Sequence, residues 1–331
     1  MLSDFQSKGQ HLLVISDTST ISFPPNSNRE ALSWVGLKTN KTGFGIHPSI
    51  LVNAKNGACY GLGGLSIHKT EIAYTEEEKQ AKKKKKRDNA KRPFQEKESS
   101  KWITSPKQAI ENCPGAANYT LVGDRESDVY DVIARALQGG WQFVIRSKTN
   151  RCLSDEHEEY KMSEVIDQWD IAHSYQLDLI ATKKRTSHTA EIDLKFGQLS
   201  IERPHVIKDK QLAQSIPLQV VEVKERDSSV VGNETPIHWI ILTSHPVNDV
   251  NDALQIVQWY QWRWIIEQLF RSLKNKGLNI EASQVETFHG LINLTTMALL
   301  AAVQIMQLVQ ARDGNTDQNI DEAFFKQERE C

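Results

Sequence analysis

The chain has few of the residues that staple small or extracellular folds. Its 331 residues include four cysteines, Cys59, Cys113, Cys152 and Cys331, at no paired spacing. A disulfide framework or a structural zinc site is therefore not expected. Ten histidines are scattered without a His-Glu-x-x-His or similar pairing, so each reads as structural rather than as a ligand. No stretch has the pattern of a secretory signal. The longest apolar run, MALLAAVQIM at 297–306, is too short to span a bilayer and reads as part of a core helix. A soluble intracellular protein without a membrane partner is expected, long enough for one sizeable domain plus an insertion.

Charge of one sign is also lacking, since the formal net charge is only −2. The distribution says more than the sum. Acidic residues gather in SDEHEEY at 154–160, and basic residues in AKKKKKRDNAKR at 81–92. The basic run reads as a solvated flexible loop, 82–92. It also suits an arm that contacts phosphates and orders on them.

What is present centres on WYQWRWIIEQLFRSLKNKG, residues 259–277. Tyr260, Arg263, Glu267 and Lys274 follow one another at spacings of 3, 4 and 7. On a continuous α-helix they fall within a stripe roughly 60° wide, which Arg271 joins. Ile265, Ile266, Leu269 and Leu273 take the opposite, core-facing side. An amphipathic surface helix with ordinary ion pairs reads the same way. A carboxylate ringed by a phenol and cations is also what metal-dependent phosphoryl transfer requires.

Two aspartates upstream weigh toward the second reading. Asp17 follows the apolar run at 12–15, and Asp124 follows that at 119–122. Both read as acids at the carboxyl ends of buried strands, where open α/β sheets build their sites. Singly, each reads equally as a turn former or helix cap. Three carboxylates brought together need a neutralising cation. Oxygen donors without a Cys/His cluster point to Mg²⁺ or Mn²⁺.

These residues resemble the DDE transposases of bacterial insertion sequences, in the group marked by the Y-R-E-K signature, the insertion sequence four family. Tyr260, Arg263, Glu267 and Lys274 match Y-x2-R-x3-E-x6-K without a gap. DTST around Asp17 and GDRESD around Asp124 resemble the strands carrying the family's two aspartates. WQFVIRSK at 141–148 resembles its next strand, and Trp239 lies 21 residues before Tyr260, where the family carries a tryptophan. The resemblance covers about 12–308.

The resemblance implies an α/β fold with a ribonuclease H-like mixed sheet flanked by helices, an antiparallel β-rich insertion and a C-terminal helical segment. The expected organisation is a catalytic core in two parts, 1–147 and 237–290, an insertion at 148–236, and a C-terminal helix and tail at 291–331. The residues agree. Strands are expected at 12–17, 46–53, 57–66, 119–124 and 141–147, with helices at 103–113 and through DVYDVIARAL. Apolar–polar alternation in SYQLDLIA, AEIDLKFGQLSIE and LQVVEVKE predicts antiparallel strands. HWIILTS, a helical lead-in from Val250, the signature helix and an apolar helix at 291–309 follow.

By resemblance, Asp17, Asp124 and Glu267 are the catalytic residues and hold two Mg²⁺ or Mn²⁺ ions. The reaction nicks double-stranded DNA at a transposon end, forms a hairpin, reopens it and joins the freed 3′-hydroxyl to target DNA. Trp239 matches the position that stacks a flipped base. Tyr260 and Arg263 would grip a neighbouring phosphate. Lys274, Arg271 and Arg146 would contact the DNA strands. A homodimer assembled on DNA and a bacterial cytoplasmic, nucleoid-associated location are implied. One departure stands out: Asp17 arrives where relatives first carry an end-binding domain. The chain is expected to lack that module, which leaves room for a truncated non-catalytic regulator or remnant that pairs with a full-length transposase. A general ribonuclease H-like nuclease shares the acids without needing Tyr260, Arg263 and Lys274 together.

Overall fold

The computed structural model describes residues 8–24, 29, 32–34, 42–68, 92–154, 160–181, 185–275 and 277–314. The expected flexible loop at 82–92 lies outside them, apart from Arg92. The chain is mixed α/β and divides into two compact units, one of 1–121 and 262–331, the other of 122–261. The boundaries expected by resemblance, at 147/148 and 236/237, follow an inserted segment rather than compactness. The second unit accordingly takes in strand and helix on both sides of 148–236.

In the first unit, the long strand β4 (Thr42–Asn53) is the organising element, beside β1 (His11–Ser16), β2 (Ser19–Phe23), β3 (Ser33–Trp34) and β5 (Cys59–His68). All four pair with β4 antiparallel. β1 and β2 keep one register along β4, from Leu12 opposite Asn53 to Ser16 opposite Ser49, then from Ser19 opposite Ile46 to Phe23 opposite Thr42. β5 covers β4 from Gly45 to Val52, so β1 and β2 share the other edge. They are one line of chain interrupted at Asp17 and Thr18, which face Pro48 and His47. Proline has no N–H to give a ladder. The expected strand end at Asp17 is thus a break within a strand.

Helix α1 (Lys101–Glu111) lies on β5, β4 and β1. Glycines make the approach possible. The register of β5 slips past Gly63, and a Cβ on Gly64 would stand 2.1 Å from the Ser105 carbonyl oxygen. Three buried hydroxyls cross this contact, Ser16 to Ser49 at 2.7 Å and Ser49 to Ser105 at 2.8 Å. They fix the last residue before Asp17 to the helix. Gly64→Ala should destabilise this unit by about 1–3 kcal/mol, the usual cost of overpacking, seen as a lower urea midpoint. β6 (Asn118–Gly123) begins in this unit, and its final two residues belong to the second.

Two further helices close the first unit. α5 (Trp264–Lys274) buries Ile265, Ile266, Leu269 and Leu273, the face its periodicity assigns to the core. α6 (Phe288–Asp313) lies against α5 and β5. Its 26 residues exceed the expected 291–309, and by length and composition alone the helix is long and apolar enough to cross a membrane, which the ten-residue run at 297–306 is not. It buries Leu291, Leu299, Ala302, Val303 and Met306, and Gln307 donates to the carbonyls of Cys59 and Tyr60 at 3.0 and 3.1 Å. A side-chain amide spent on β5 backbone is a core helix's contact.

The second unit carries an antiparallel run in the order β7 (Gln142–Arg146), β11 (His238–Thr243), β10 (Ser215–Glu225), β9 (His188–Glu202), β8 (His173–Leu179). The three alternating segments fall on β8, β9 and β10, as their period predicts. α2 (Tyr130–Gln138) lies on β7, and α3 (Met162–Asp167), which no periodicity announced, lies on β9. α4 (Val250–Trp262) ends at the unit boundary. The signature stretch is therefore two helices rather than one. Arg263 stands between α4 and α5, with a backbone that stays helical at φ −50° and ψ −29°.

Candidate active site

In the first unit, Arg263 joins two of the predicted acids. Its Nη1 donates to Asp17 Oδ2 at 3.0 Å, and its Nη2 to Glu267 Oε1 at 2.5 Å. The glutamate comes from the next turn of α5, and the aspartate from the break between β1 and β2. The other oxygen of Asp17, Oδ1, accepts the Thr18 N–H at 2.7 Å. Thr18 is held in turn, its hydroxyl sharing a 2.9 Å hydrogen bond with His47 Nδ1. His47 is fully buried, edge-on to Trp102 at 4.5 Å. Burial, with the Lys101 and His68 charges adding, holds its pKa well below the usual histidine value, so the ring is neutral at pH 7. The missing ladder bond opposite Pro48 frees Asp17 to turn toward the site, and the serine and histidine contacts on either side keep the turn in place.

Two carboxylates within the span of one guanidinium are hard oxygen donors that share a cation. Oxygen donors are the kind that Mg²⁺ or Mn²⁺ takes and a soft metal does not, but among the described residues no three acids, histidines or cysteines cluster as a metal site. Farther along α5, Lys274 is half-buried and its pKa is lowered by desolvation, which nearby Glu281 opposes. Arg271 is exposed. Glu281 Oε1 itself accepts the Ser22 N–H at 2.9 Å and the Ser22 hydroxyl at 3.0 Å, pinning β2 below the break.

In the second unit, Asp124 stands just past the end of β6, half-buried. Its Oδ1 accepts the Glu126 N–H at 2.8 Å, and its carbonyl accepts the Ser127 hydroxyl at 2.6 Å. Three of the predicted DNA contacts meet in this unit. Trp239 on β11 sets its ring against Tyr260 on α4, centroids 5.3 Å apart and near perpendicular. The Arg146 guanidinium lies 5.9 Å from the Trp239 ring centre and donates to the His238 carbonyl at 2.8 Å. Trp239 is half-buried and Tyr260 is buried. An aromatic pair with a cation on one face suits stacking on a base and attraction to phosphate.

Sequence reasoning missed the residue that organises this unit's loops. Asp128, four residues after Asp124, has a fully buried side chain. It pairs with Arg151, and its Oδ2 accepts the N–H groups of Lys148 at 2.7 Å and Thr149 at 2.9 Å. The last acid of GDRESD thus ties the turn after Asp124 to the segment after Arg146. Nothing local marks it, since its partners Lys148, Thr149 and Arg151 lie 20 or more residues away. Thr18, His47 and Pro48 were missed because their roles depend on the pairing of β4.

The family model described as the transposase DDE domain matches residues 8–304. That match takes in both aspartates, the signature stretch and most of α6. Transposases of this kind act on DNA as endonucleases and strand transferases and generally use divalent ions such as Mg²⁺. The chain, whose two helix-and-strand acids share one cation and whose aromatic pair carries another, belongs to the transposase DDE-domain family.

Proposed function

We propose that this protein is the catalytic core of a Y-R-E-K transposase, which cuts and rejoins DNA at transposon ends through a hairpin intermediate on a ribonuclease H-like frame. The observation that carries the reading is the meeting of Asp17 and Glu267 on the Arg263 guanidinium. Acids 250 positions apart in the chain are drawn together only where a cation offsets their repulsion. By the resemblance, Asp124 would be the third carboxylate, since it follows a strand end of the kind where α/β folds place sites.

Asp17, Asp124 and Glu267 would hold two divalent ions. When bound, these would activate the attacking water or 3′-hydroxyl and stabilise the leaving 3′ oxygen. The chain's own groups do the rest. Trp239 offers a face for a base withdrawn from the duplex. Tyr260 buttresses that ring and directs its hydroxyl to the adjoining phosphate. Arg146 neutralises backbone charge beside Trp239. Lys274 and Arg271, one turn apart on α5, contact the strand near the cut, and the lowered pKa of Lys274 marks a cation already partly stripped of water. Assembly as a homodimer on DNA, in the bacterial cytoplasm at the nucleoid, belongs to the same reading.

Tyr260→Phe tests the hairpin step. The variant keeps the ring against Trp239 and removes a hydrogen bond to a charged group, which contributes roughly 1.5–3 kcal/mol. Hairpin formation on a pre-nicked transposon end should fall by about 10- to 100-fold, much more than first-strand nicking falls. Equal effects on both steps would favour a general nuclease of this fold.

A further inference from the structure

We propose that Arg263 is the resident counter-ion of Asp17 and Glu267, and that a divalent ion is taken up at these two acids only as the guanidinium leaves. The inference rests on the metal-dependent reading above and goes beyond it, since it makes one residue the gate to metal binding. Both Nη atoms are committed, one to each acid. On Asp17 both oxygens are committed too, Oδ2 to Arg263 and Oδ1 to the Thr18 N–H. An ion approaching Asp17 therefore competes with a charge-assisted hydrogen bond, and it also meets a positive charge already seated between the donors. The three side chains are largely enclosed, at 13% exposed for Arg263, 17% for Asp17 and 32% for Glu267, so solvent screens this competition less than at a surface.

The arrangement has a second consequence. Without metal, two neighbouring carboxylates would repel, and the guanidinium bonded to both offsets that repulsion. Arg263 stands outside the regular turns of α4 and α5, at the one residue between them. Release of its long side chain from the acids needs only a change of side-chain rotamer. A released guanidinium is then free for a DNA phosphate, the contact the family signature implies. Metal uptake and phosphate capture thereby become coupled steps of one residue, and coupling of this kind is reciprocal.

The test is Mn²⁺ binding by calorimetry and by thermal shift on the full chain, in wild type, Arg263→Gln and Arg263→Lys, without DNA. Specific binding is the part that Glu267→Gln removes. Arg263→Gln should melt lower than wild type without metal, yet bind Mn²⁺ at least about fivefold more tightly. Arg263→Lys, with a single nitrogen that cannot span both acids, should lie between. If Arg263→Gln does not fold, the Lys variant decides alone, by binding more tightly than wild type. Equal or weaker Mn²⁺ affinity in the folded variants would overturn the inference while leaving the metal site standing. Absence of specific Mn²⁺ binding in every protein would overturn the metal reading, and this inference with it.

Discussion

Asp128→Ala is expected to destabilise the second unit by about 3–5 kcal/mol, the cost of leaving one member of a buried ion pair uncompensated. The mechanism is specific. Arg151, 7% exposed, loses its carboxylate partner, and the N–H groups of Lys148 and Thr149 lose their acceptor. Among the described residues, Arg151 keeps its bond to the Asp128 carbonyl at 3.1 Å, a neutral acceptor for a charged donor. The loss should appear as a lower urea midpoint for probes in 122–261. A midpoint within about 0.5 kcal/mol of wild type, the range typical of surface substitutions, would mean that the pair is solvated in solution.

Asp124→Asn, four residues away in the same motif, is expected to do the reverse. Asparagine keeps the Oδ1 that accepts the Glu126 N–H, so the turn after β6 survives. What is lost is a negative oxygen donor. A divalent ion contributes several kcal/mol of charge stabilisation in the transition state. Losing about 4 kcal/mol of it would slow strand cleavage by about a thousandfold. Mn²⁺-dependent cleavage should therefore fall to background while the urea midpoint stays close to wild type. Retained cleavage would remove Asp124 from the site. Measured together, the two variants separate the acid that does chemistry from the acid that holds the loop, a distinction the motif GDRESD alone does not make.

Local pattern made much of this legible. The apolar runs ending near Asp17 and Asp124 are strands, the alternation at 174–225 is three antiparallel strands, and Ile265, Ile266, Leu269 and Leu273 form the buried face of α5. Each follows from a period of 2 or 3.6 written into neighbouring residues. The features missed depend on partners far away in sequence. Asp17 lies at a gap rather than at an end because Pro48 faces it, a fact fixed by strand register. The tight seat of α1 depends on Gly64 meeting Ser105. The division of the signature stretch at Arg263 left no trace, since Trp262, Arg263 and Trp264 carry no glycine or proline and the backbone at Arg263 remains helical. The spacing of Y-R-E-K puts four residues on one stretch of sequence, whereas the chain divides after Tyr260, which belongs to one unit, and before Arg263, Glu267 and Lys274, which belong to the other.

The most direct test of a metal-dependent transposase core is to incubate the purified chain with a labelled duplex pre-nicked at a transposon end, with Mn²⁺, Mg²⁺ or chelator, beside Asp124→Asn. The account predicts hairpin or strand-transfer product that requires the metal and disappears in the variant. Product formed equally by Asp124→Asn or in chelator would contradict it, as would a metal-loaded, DNA-bound wild-type protein that yields no product.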